Sequence, residues 1–193
     1  AHSVTVANSG TGEAYTLSYD YLILSPGALA ARPPIDGLDS PRVHTLRTVD
    51  DALALREATG TRAIVLGAGF IGLEAAEALA ARGFETHLVE LAEHVLPPLE
   101  VEMATLVTQE LRNLGIRVHA GVAAQAIAHA DNNDVVTLSD GTVLHADVIV
   151  LSAGVRPDTA VVEAAGIQTR RGYVVIDEHG RTSADDIYAI GDG

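Results

Sequence analysis

The chain contains neither lysine nor cysteine. All twelve of its basic residues are arginines, so it has no lysine to hold phosphates in a P-loop or to form a Schiff base with a carbonyl substrate. The lack of cysteine excludes a disulfide, a thiolate zinc site and a redox-active thiol within these residues. The P-loop and Schiff-base enzyme classes are therefore excluded.

Positive charge is scarce as well. The twelve arginines stand against 26 acidic residues, which gives a formal net charge of −14. Proteins that bind nucleic acid need a cationic face, so we expect no nucleic-acid partner. The eight histidines are scattered and have no cysteine beside them, so we expect no metal site.

Long apolar runs are also missing. A membrane-crossing helix needs about 20 apolar residues, and neither such a run nor a secretory signal is present. We therefore expect no membrane span and a cytoplasmic location. The chain begins without methionine and stops directly after a strand-like run, so we expect it to be a piece of a larger protein.

Apolar periodicity and turn residues divide the chain into short strands and helices. Three β-rich segments in residues 3–24 are interpreted as a small meander, and the proline-containing stretch 28–43 as a connector. Thr48, with acidic residues after it, predicts the start of a helix that runs to about Ala58.

The order of the remaining elements predicts an α/β fold. Arg62–Leu66 and Asp147–Leu151 are continuous apolar strands, as expected where helices cover both faces of a parallel sheet. Residues 122–145 contain three short strand patterns with turn signals between them, which predict an antiparallel β-meander. The expected architecture is a Rossmann-like domain with a parallel sheet plus this meander.

A glycine-rich turn joins the strand Arg62–Leu66 to a helix. Gly67 allows a sharp turn, Gly69 allows backbone to approach a pyrophosphate, and Gly72 allows the helix to lie close to the sheet. The helix presents free N–H groups and the positive end of its dipole to the diphosphate. The predicted dinucleotide-binding residues of this turn are Gly67, Gly69, Phe70, Ile71 and Gly72.

Glu90 ends the next strand pattern. A carboxylate there can accept hydrogen bonds from both adenosine ribose hydroxyls, whereas the 2′-phosphate of NADPH would meet a like charge. The next three residues include no arginine to bind that phosphate. We therefore predict NAD as the cofactor, with NADH preferred over NADPH. The alternative is that the glycines serve only tight packing and Glu90 is a solvated strand end.

Four separated motifs resemble the central region of FAD-dependent pyridine nucleotide-disulfide oxidoreductases. Residues 67–76 resemble the family's second, NAD-binding fingerprint, and residues 19–28 resemble the passage from the FAD domain to the NAD domain. In that passage Ser25-Pro26-Gly27 replaces the usual A-T-G. Residues 153–158 resemble the G-x-R-P turn back to the FAD domain, and 182–192 the T-S-x-x-x-I-Y-A-x-G-D signature. Residues 96–103 are most similar to the coenzyme A-disulfide reductase and NADH oxidase branch.

The resemblance implies roles for three further residues. Glu74 would lie near the nicotinamide and flavin side of the site, Gly154 would approach the cofactor by its backbone, and Asp192 would hydrogen-bond the ribityl chain of FAD. Each residue also has an ordinary alternative. Glu74 could be a helix carboxylate that pairs with an arginine or faces water. Gly154 could belong to a plain domain-exit turn, and Asp192 could be a turn aspartate without a ligand.

The resemblance also implies a flavin domain split around the NAD domain. The expected limits are 1–43 for a partial FAD-binding domain, 44–157 for the NAD-binding domain and 158–193 for a truncated return segment. The parent enzyme would pass hydride from NADH to FAD and on to a disulfide, oxygen or a similar acceptor. Its partners would be the FAD domain of the same chain and a small-molecule or protein electron acceptor, with a homodimer at full length.

The chain alone is expected to be inactive, and no catalytic residue is assigned. Two other interpretations stay open. The first is an isolated, non-catalytic NAD-binding module. The second is part of a ferredoxin or rubredoxin reductase, which shares both nucleotide domains.

Overall fold

The structure is a computed structural model that describes residues 2–193. The chain divides into two compact units, with boundaries between Leu29 and Ala30 and between Val155 and Arg156. The strands are β1 (Ser3–Ala7), β2 (Ala14–Ser18), β3 (Leu22–Leu24), β4 (Ala28–Ala30), β5 (Val43–Thr45), β6 (Arg62–Leu66), β7 (Glu85–Glu90), β8 (Arg117–Ala120), β9 (Ala124–His129), β10 (Asp134–Leu138), β11 (Val143–Ala146), β12 (Val148–Leu151), β13 (Val155–Pro157), β14 (Thr169–Arg170), β15 (Tyr173–Val174) and β16 (Ile187–Ala189). The helices are α1 (Val49–Glu57), α2 (Phe70–Ala81), α3 (Val101–Asn113) and α4 (Ala160–Ala164).

The larger unit, 30–155, is built on a five-stranded sheet in the order β5-β12-β6-β7-β8. All of its strand pairs are parallel. The chain steps outward from β6 through β7 to β8 and then returns to place β12 on the other side of β6. This reversal puts a topological switch point at the carboxyl ends of β6 and β12, where ligands of doubly wound sheets bind.

The two faces of this sheet are covered by different layers. Val65, Leu88 and Val150 face a core shared with the three long helices. Ile64 and Ile149 face a second core, shared with the antiparallel sheet β11-β10-β9. The expected antiparallel meander is thus confirmed, but the expectation that helices cover both faces is wrong. A continuous apolar strand needs an apolar layer on each side, and a second sheet supplies one as well as helices do.

Helix α1 begins as its sequence predicts. The Thr48 side chain accepts a hydrogen bond from the Asp51 N–H, and the Asp51 carboxylate accepts one from the Thr48 N–H, which forms a capping box. The helix ends at Glu57. The strand before it, β5, was not predicted, because its three residues, Val43–Thr45, carry no apolar run.

The connector that precedes β5 is fixed against the antiparallel sheet. The Ile127 N–H donates to the Asp36 carbonyl at 2.7 Å. Gly37 lies so close to β9 that an added Cβ would stand 1.9 Å from the Ile127 carbonyl oxygen. Arg42 forms an ion pair with the fully buried Asp134 at 3.1 Å. Residues 30–43 of the stretch expected to be an irregular connector are therefore an ordered part of the larger unit.

The smaller unit contains the two ends of the chain. Strands β1 and β2 form an antiparallel pair, whereas β3 pairs in parallel with β16. The expected meander of three strands is therefore wrong at β3, which joins the last strand of the chain instead. No helix within residues 2–193 has the length and apolar character needed to cross a bilayer.

Candidate functional site

A cavity of about 770 Å³ opens at the switch point of the larger unit. Its lining comes from the glycine turn, the end of β7, the connector and the residues after β12. The cavity brings together six of the nine residues predicted from the sequence to bind nucleotide. These are Gly67, Gly69, Phe70, Ile71, Glu90 and Gly154.

The three glycines of the turn differ in their surroundings. Gly67 has a φ of +105°, and an added Cβ would stand 2.5 Å from the Ser152 carbonyl oxygen. A Cβ on Gly72 would stand 1.9 Å from the Gly67 carbonyl oxygen, so helix α2 packs directly on the turn. A Cβ on Gly69 would meet no atom within 4 Å. Gly69 thus leaves open space for an approaching ligand, while the other two allow close packing.

Helix α2 points its amino end at this open space. Gly69 is the N-cap residue and supplies no side-chain cap, and the first turn contains no acidic residue. The first N–H groups of a helix have no intrahelical acceptor and carry partial positive charge. Phe70 and Ile71, whose side chains are exposed, therefore offer backbone donors to an anion.

Glu90 stands beside the turn at the carboxyl end of β7. Its Oε2 accepts a hydrogen bond from the Ala68 N–H at 2.6 Å, and its Oε1 accepts one from the Ala92 N–H at 2.8 Å. A carboxylate has about four lone-pair positions for hydrogen bonds. Glu90 is consequently held in a fixed orientation and still has acceptor capacity for a ligand hydroxyl.

Ser152, which the sequence analysis did not identify, faces Glu90 across the turn. Its hydroxyl lies 2.9 Å from the Gly67 carbonyl oxygen and 3.1 Å from that of Leu66, and its N–H donates to Leu66 at 2.8 Å. The sequence offered one signal for this role, since Ser152 is a polar residue that directly follows the buried strand β12. The position of β12 next to β6 could be known only from the tertiary structure.

The walls of the cavity are apolar and were also missed by the sequence analysis. Side chains from the connector form one part, and residues that follow β7 and β8 form another. Leu91 is 73% exposed. Such a surface suits the flat faces of a base, with polar groups fixing its orientation. The apolar lining residues include Pro33, Pro34, Ile35, Leu91, Pro97 and Val122.

Three predicted site residues lie outside this cavity lining. Gly72 packs beneath the turn, as described above. Glu74 is exposed on α2, and no ion pair of Glu74 occurs within residues 2–193. Asp192 belongs to the smaller unit, where it is exposed just after β16. In that unit the Ile190 N–H donates to the Leu24 carbonyl at 3.0 Å, so residues 19–28 and 182–192 lie side by side.

Two histidines that are distant in sequence meet on the sheet. His87 Nδ1 of β7 lies 2.9 Å from His119 Nε2 of β8, and the rings are stacked. Burial lowers the pKa of both imidazoles below the ordinary value, and the nearby Arg117 lowers both further. In the described part of the chain, no three His, Cys, Asp or Glu side chains come together in a way that could hold a metal ion.

Comparison with known proteins adds the family. A family model described as pyridine nucleotide-disulphide oxidoreductase matches residues 1–193. The chain belongs to this family. Among curated members, the rubredoxin-NAD(+) reductase of Alcanivorax borkumensis is 39% identical over 180 residues, which cover 91% of this chain and 47% of that protein. The NADH oxidase of Methanocaldococcus jannaschii is 35% identical over 186 residues, or 94% of this chain and 41% of that protein.

A solved structure has the same fold as this chain. The NAD-dependent persulfide reductase from A. fulgidus superposes with a TM-score of 0.92 at 36% identity, and the match covers 99% of this chain and 36% of that one. The α/β architecture predicted from the sequence is thereby confirmed. The chain spans less than half the length of these relatives. Their names refer to different electron acceptors.

Proposed function

We propose that the cavity binds NADH and that the chain is the NAD-binding portion of a flavin-dependent oxidoreductase. One observation carries the proposal: the Glu90 carboxylate is fixed beside a glycine turn whose open side faces the amino end of α2. The turn and the helix suit a diphosphate, and the carboxylate suits a ribose diol. An NAD-dependent structural relative supports the same cofactor.

The chain's residues act here by binding and orientation. Backbone N–H groups at Phe70 and Ile71 would hold the diphosphate, and Glu90 would hold the adenosine ribose. The dinucleotide would then extend along the cavity toward Gly154, which also lines it. Glu74 would lie near the nicotinamide. FAD would accept the hydride when bound, and Asp192 would contact its ribityl chain.

The domain assignment is part of the proposal. The limits expected from the sequence are 1–43, 44–157 and 158–193. Because residues 30–43 pack within the larger unit and β5 spans Val43–Thr45, we propose 1–29 and 156–193 as parts of a split FAD-binding domain and 30–155 as the NAD-binding domain. The parallel pairing of β3 with β16 supports the first half of this assignment, because it joins the two outer segments in one unit. We further propose a cytoplasmic, homodimeric parent enzyme.

The acceptor would be a disulfide, oxygen or a similar electron acceptor. The 39% identity to a rubredoxin-NAD(+) reductase favours a second candidate, a small electron-transfer protein. Reduction of rubredoxin, of oxygen and of a low-molecular-weight disulfide by the full-length enzyme, compared at equal NADH, separates these candidates. The preferred acceptor gives the highest kcat/KM.

The central test is nucleotide titration of the 193-residue chain. We expect NADH to bind more tightly than NADPH, because Glu90 repels the 2′-phosphate. Glu90→Ala should weaken NADH binding and remove most of the preference. Glu93→Ala removes a nearby charge of the same sign, and it should change neither the NADH affinity nor the preference for NADH over NADPH. Equal affinity of the unsubstituted chain for the two nucleotides would contradict the proposal.

A second measurement addresses the alternative of a non-catalytic module. A protein that retains flavin absorbs at about 450 nm and transfers hydride through that cofactor. If the chain binds NADH and shows no such absorbance even after incubation with FAD, it functions alone as a nucleotide-binding module. Flavin absorbance that is bleached by NADH would instead exclude the module.

A further inference from the structure

One peptide group of the glycine turn is held at both ends by side chains. The carbonyl of Gly67 accepts a hydrogen bond from the Ser152 hydroxyl at 2.9 Å. The N–H of the same peptide group, which belongs to Ala68, donates to Glu90 Oε2 at 2.6 Å. Glu90 ends β7, and Ser152 directly follows β12. The two strands that flank β6 therefore both contribute a side chain to the peptide that follows it.

The backbone of Gly67 does not by itself fix the rotation of this peptide. Gly67 has a φ of +105°, and glycine populates such conformations without steric cost. A peptide group is planar, so its C=O and N–H point in opposite directions. A donor at the oxygen and an acceptor at the N–H together fix its rotation. Either contact alone leaves one end of the group without a fixed partner.

We propose that Ser152 is a positioning residue for the dinucleotide site. With Glu90 it fixes the Gly67–Ala68 peptide and thereby the direction of the N–H groups that follow it at Phe70 and Ile71. The inference rests on the proposed function, because it assigns Ser152 to the diphosphate-binding part of that site. Glu90 then has two tasks, since it holds the turn and also accepts from the ribose.

The packing around Ser152 supports a role in the turn. A Cβ on Gly72 would stand 2.7 Å from the Ser152 hydroxyl oxygen, so the amino end of α2 lies directly against this side chain. Ser152 also lines the cavity. Its hydroxyl therefore contacts the turn and lies against the helix that follows, and the residue borders the ligand space. Loss of this hydroxyl should disturb the diphosphate position more than the adenosine position.

The test compares Ser152→Ala with Thr86→Val in the 193-residue chain. The Thr86 hydroxyl, buried on β7, donates to the Phe84 carbonyl at 3.1 Å and does not line the cavity. Each variant thus loses one hydroxyl donor to backbone carbonyls next to an end of the strands of this sheet. Two ligands distinguish positioning from stability: ADP-ribose carries the diphosphate, and adenosine lacks it. Binding is measured by calorimetry for ADP-ribose and by ligand-observed NMR for adenosine.

We expect Ser152→Ala to bind ADP-ribose about 3- to 10-fold more weakly, because binding must then order the peptide that the hydroxyl holds in the unsubstituted chain, at a cost of up to about one net hydrogen bond. Adenosine affinity should change by less than about 2-fold, and Thr86→Val should leave both ligands unaffected. Unchanged ADP-ribose binding in Ser152→Ala would overturn this inference alone, and so would an equal loss for both ligands. Absence of ADP-ribose binding by the unsubstituted chain would overturn the proposed function as well.

Discussion

Gly72 packs so closely on Gly67 that an added Cβ would stand 1.9 Å from the Gly67 carbonyl oxygen. That distance is far inside van der Waals contact, so Gly72→Ala must move helix α2 away from the turn. We expect NADH binding to weaken by at least roughly tenfold and the thermal midpoint to fall, because overpacking costs about 1–3 kcal/mol. Calorimetry and thermal unfolding measure the two effects.

Gly69→Ala is the matched control for this substitution. Gly69 has a φ of −75° and open space at its Cβ position, so alanine should fit without strain. The new methyl group would project into the cavity and meet the diphosphate. We expect an unchanged thermal midpoint with weaker NADH binding. A Gly72→Ala variant that binds NADH as tightly as the unsubstituted chain would show that the close packing does not position the helix.

Substitutions at two adjacent positions should reverse the preference for NADH over NADPH. Glu90→Ala removes the charge that repels a 2′-phosphate, and Leu91→Arg adds a guanidinium that can bind it. Leu91 is 73% exposed, so an arginine fits there without disturbing the core. We expect the double variant to bind NADPH more tightly than NADH. Leu91→Met, which keeps an apolar side chain, should retain the NADH preference, and its titration beside the double variant tests the role of the charge.

Stability should fall at mildly acidic pH because of the histidine pair. The pKa values of His87 and His119 lie below 6.5 in the folded chain, chiefly through burial, although Glu85 and Asp140 act in the opposite direction. The unfolded chain therefore binds more protons than the folded chain once the pH drops below about 6.5. The stability present above that pH is progressively lost as the pH falls through the folded pKa values.

Urea unfolding at pH 7.5 and at pH 5.5 measures this dependence. The double variant His87→Gln, His119→Gln should lose less stability between the two pH values than the unsubstituted chain. Burial also lowers the pKa of His44, so His44→Gln gives the contribution of that third group. A pH dependence that is identical with and without the pair would contradict this account.

Arg82 should stabilise the larger unit without affecting nucleotide binding. Its guanidinium donates to the Leu55 carbonyl at 2.8 Å and to the Ala58 carbonyl at 2.7 Å, and it lies 5.1 Å from the Phe84 ring centroid. These carbonyls end helix α1, where a cation is favourable. Arg82→Ala should cost about 1–2 kcal/mol of unfolding free energy, from two hydrogen bonds and the cation–π contact.

Arg82→Lys provides the matched comparison for Arg82→Ala. Lysine keeps the charge but lacks the planar fork that reaches two carbonyls at once, so it should recover only part of the loss. Chemical unfolding and NADH titration of both variants separate stability from binding. A change in NADH affinity would show that α1 contributes to the site.

The central βαβ unit could be predicted from the sequence almost to the residue. The bounds predicted for β6, Arg62–Leu66, agree with the structure, and Glu90 ends β7 as expected, because each strand is a compact β-rich run. Gly83 also marks the region in which α2 ends. The same local signals identified the turn residues and Glu90, since the fingerprint lies within one continuous segment.

Other parts of the site depend on contacts between distant segments. Ser152 acts on Gly67 only because β12 lies beside β6, and no local pattern reports which strands are neighbours. Pro33 and Pro34 were interpreted as a connector, although they line the cavity. The pairing of β3 with β16 was missed for the same reason. Local sequence indicates secondary-structure elements and turns. The order of the strands in each sheet decides which of these segments come into contact.

The hydrogen bond between Ser152 and the turn joins residues that are 85 positions apart. During synthesis the glycine turn, α2 and Glu90 all leave the ribosome well before β12 does. For some time the nascent chain therefore contains the complete glycine fingerprint but lacks β12, the strand that pairs with β6. If Ser152 positions the turn as proposed, we expect nucleotide to stabilise this unit chiefly after β12 has inserted, because before then only Glu90 holds the Gly67–Ala68 peptide. Cofactor availability would thus act late in the folding of this unit.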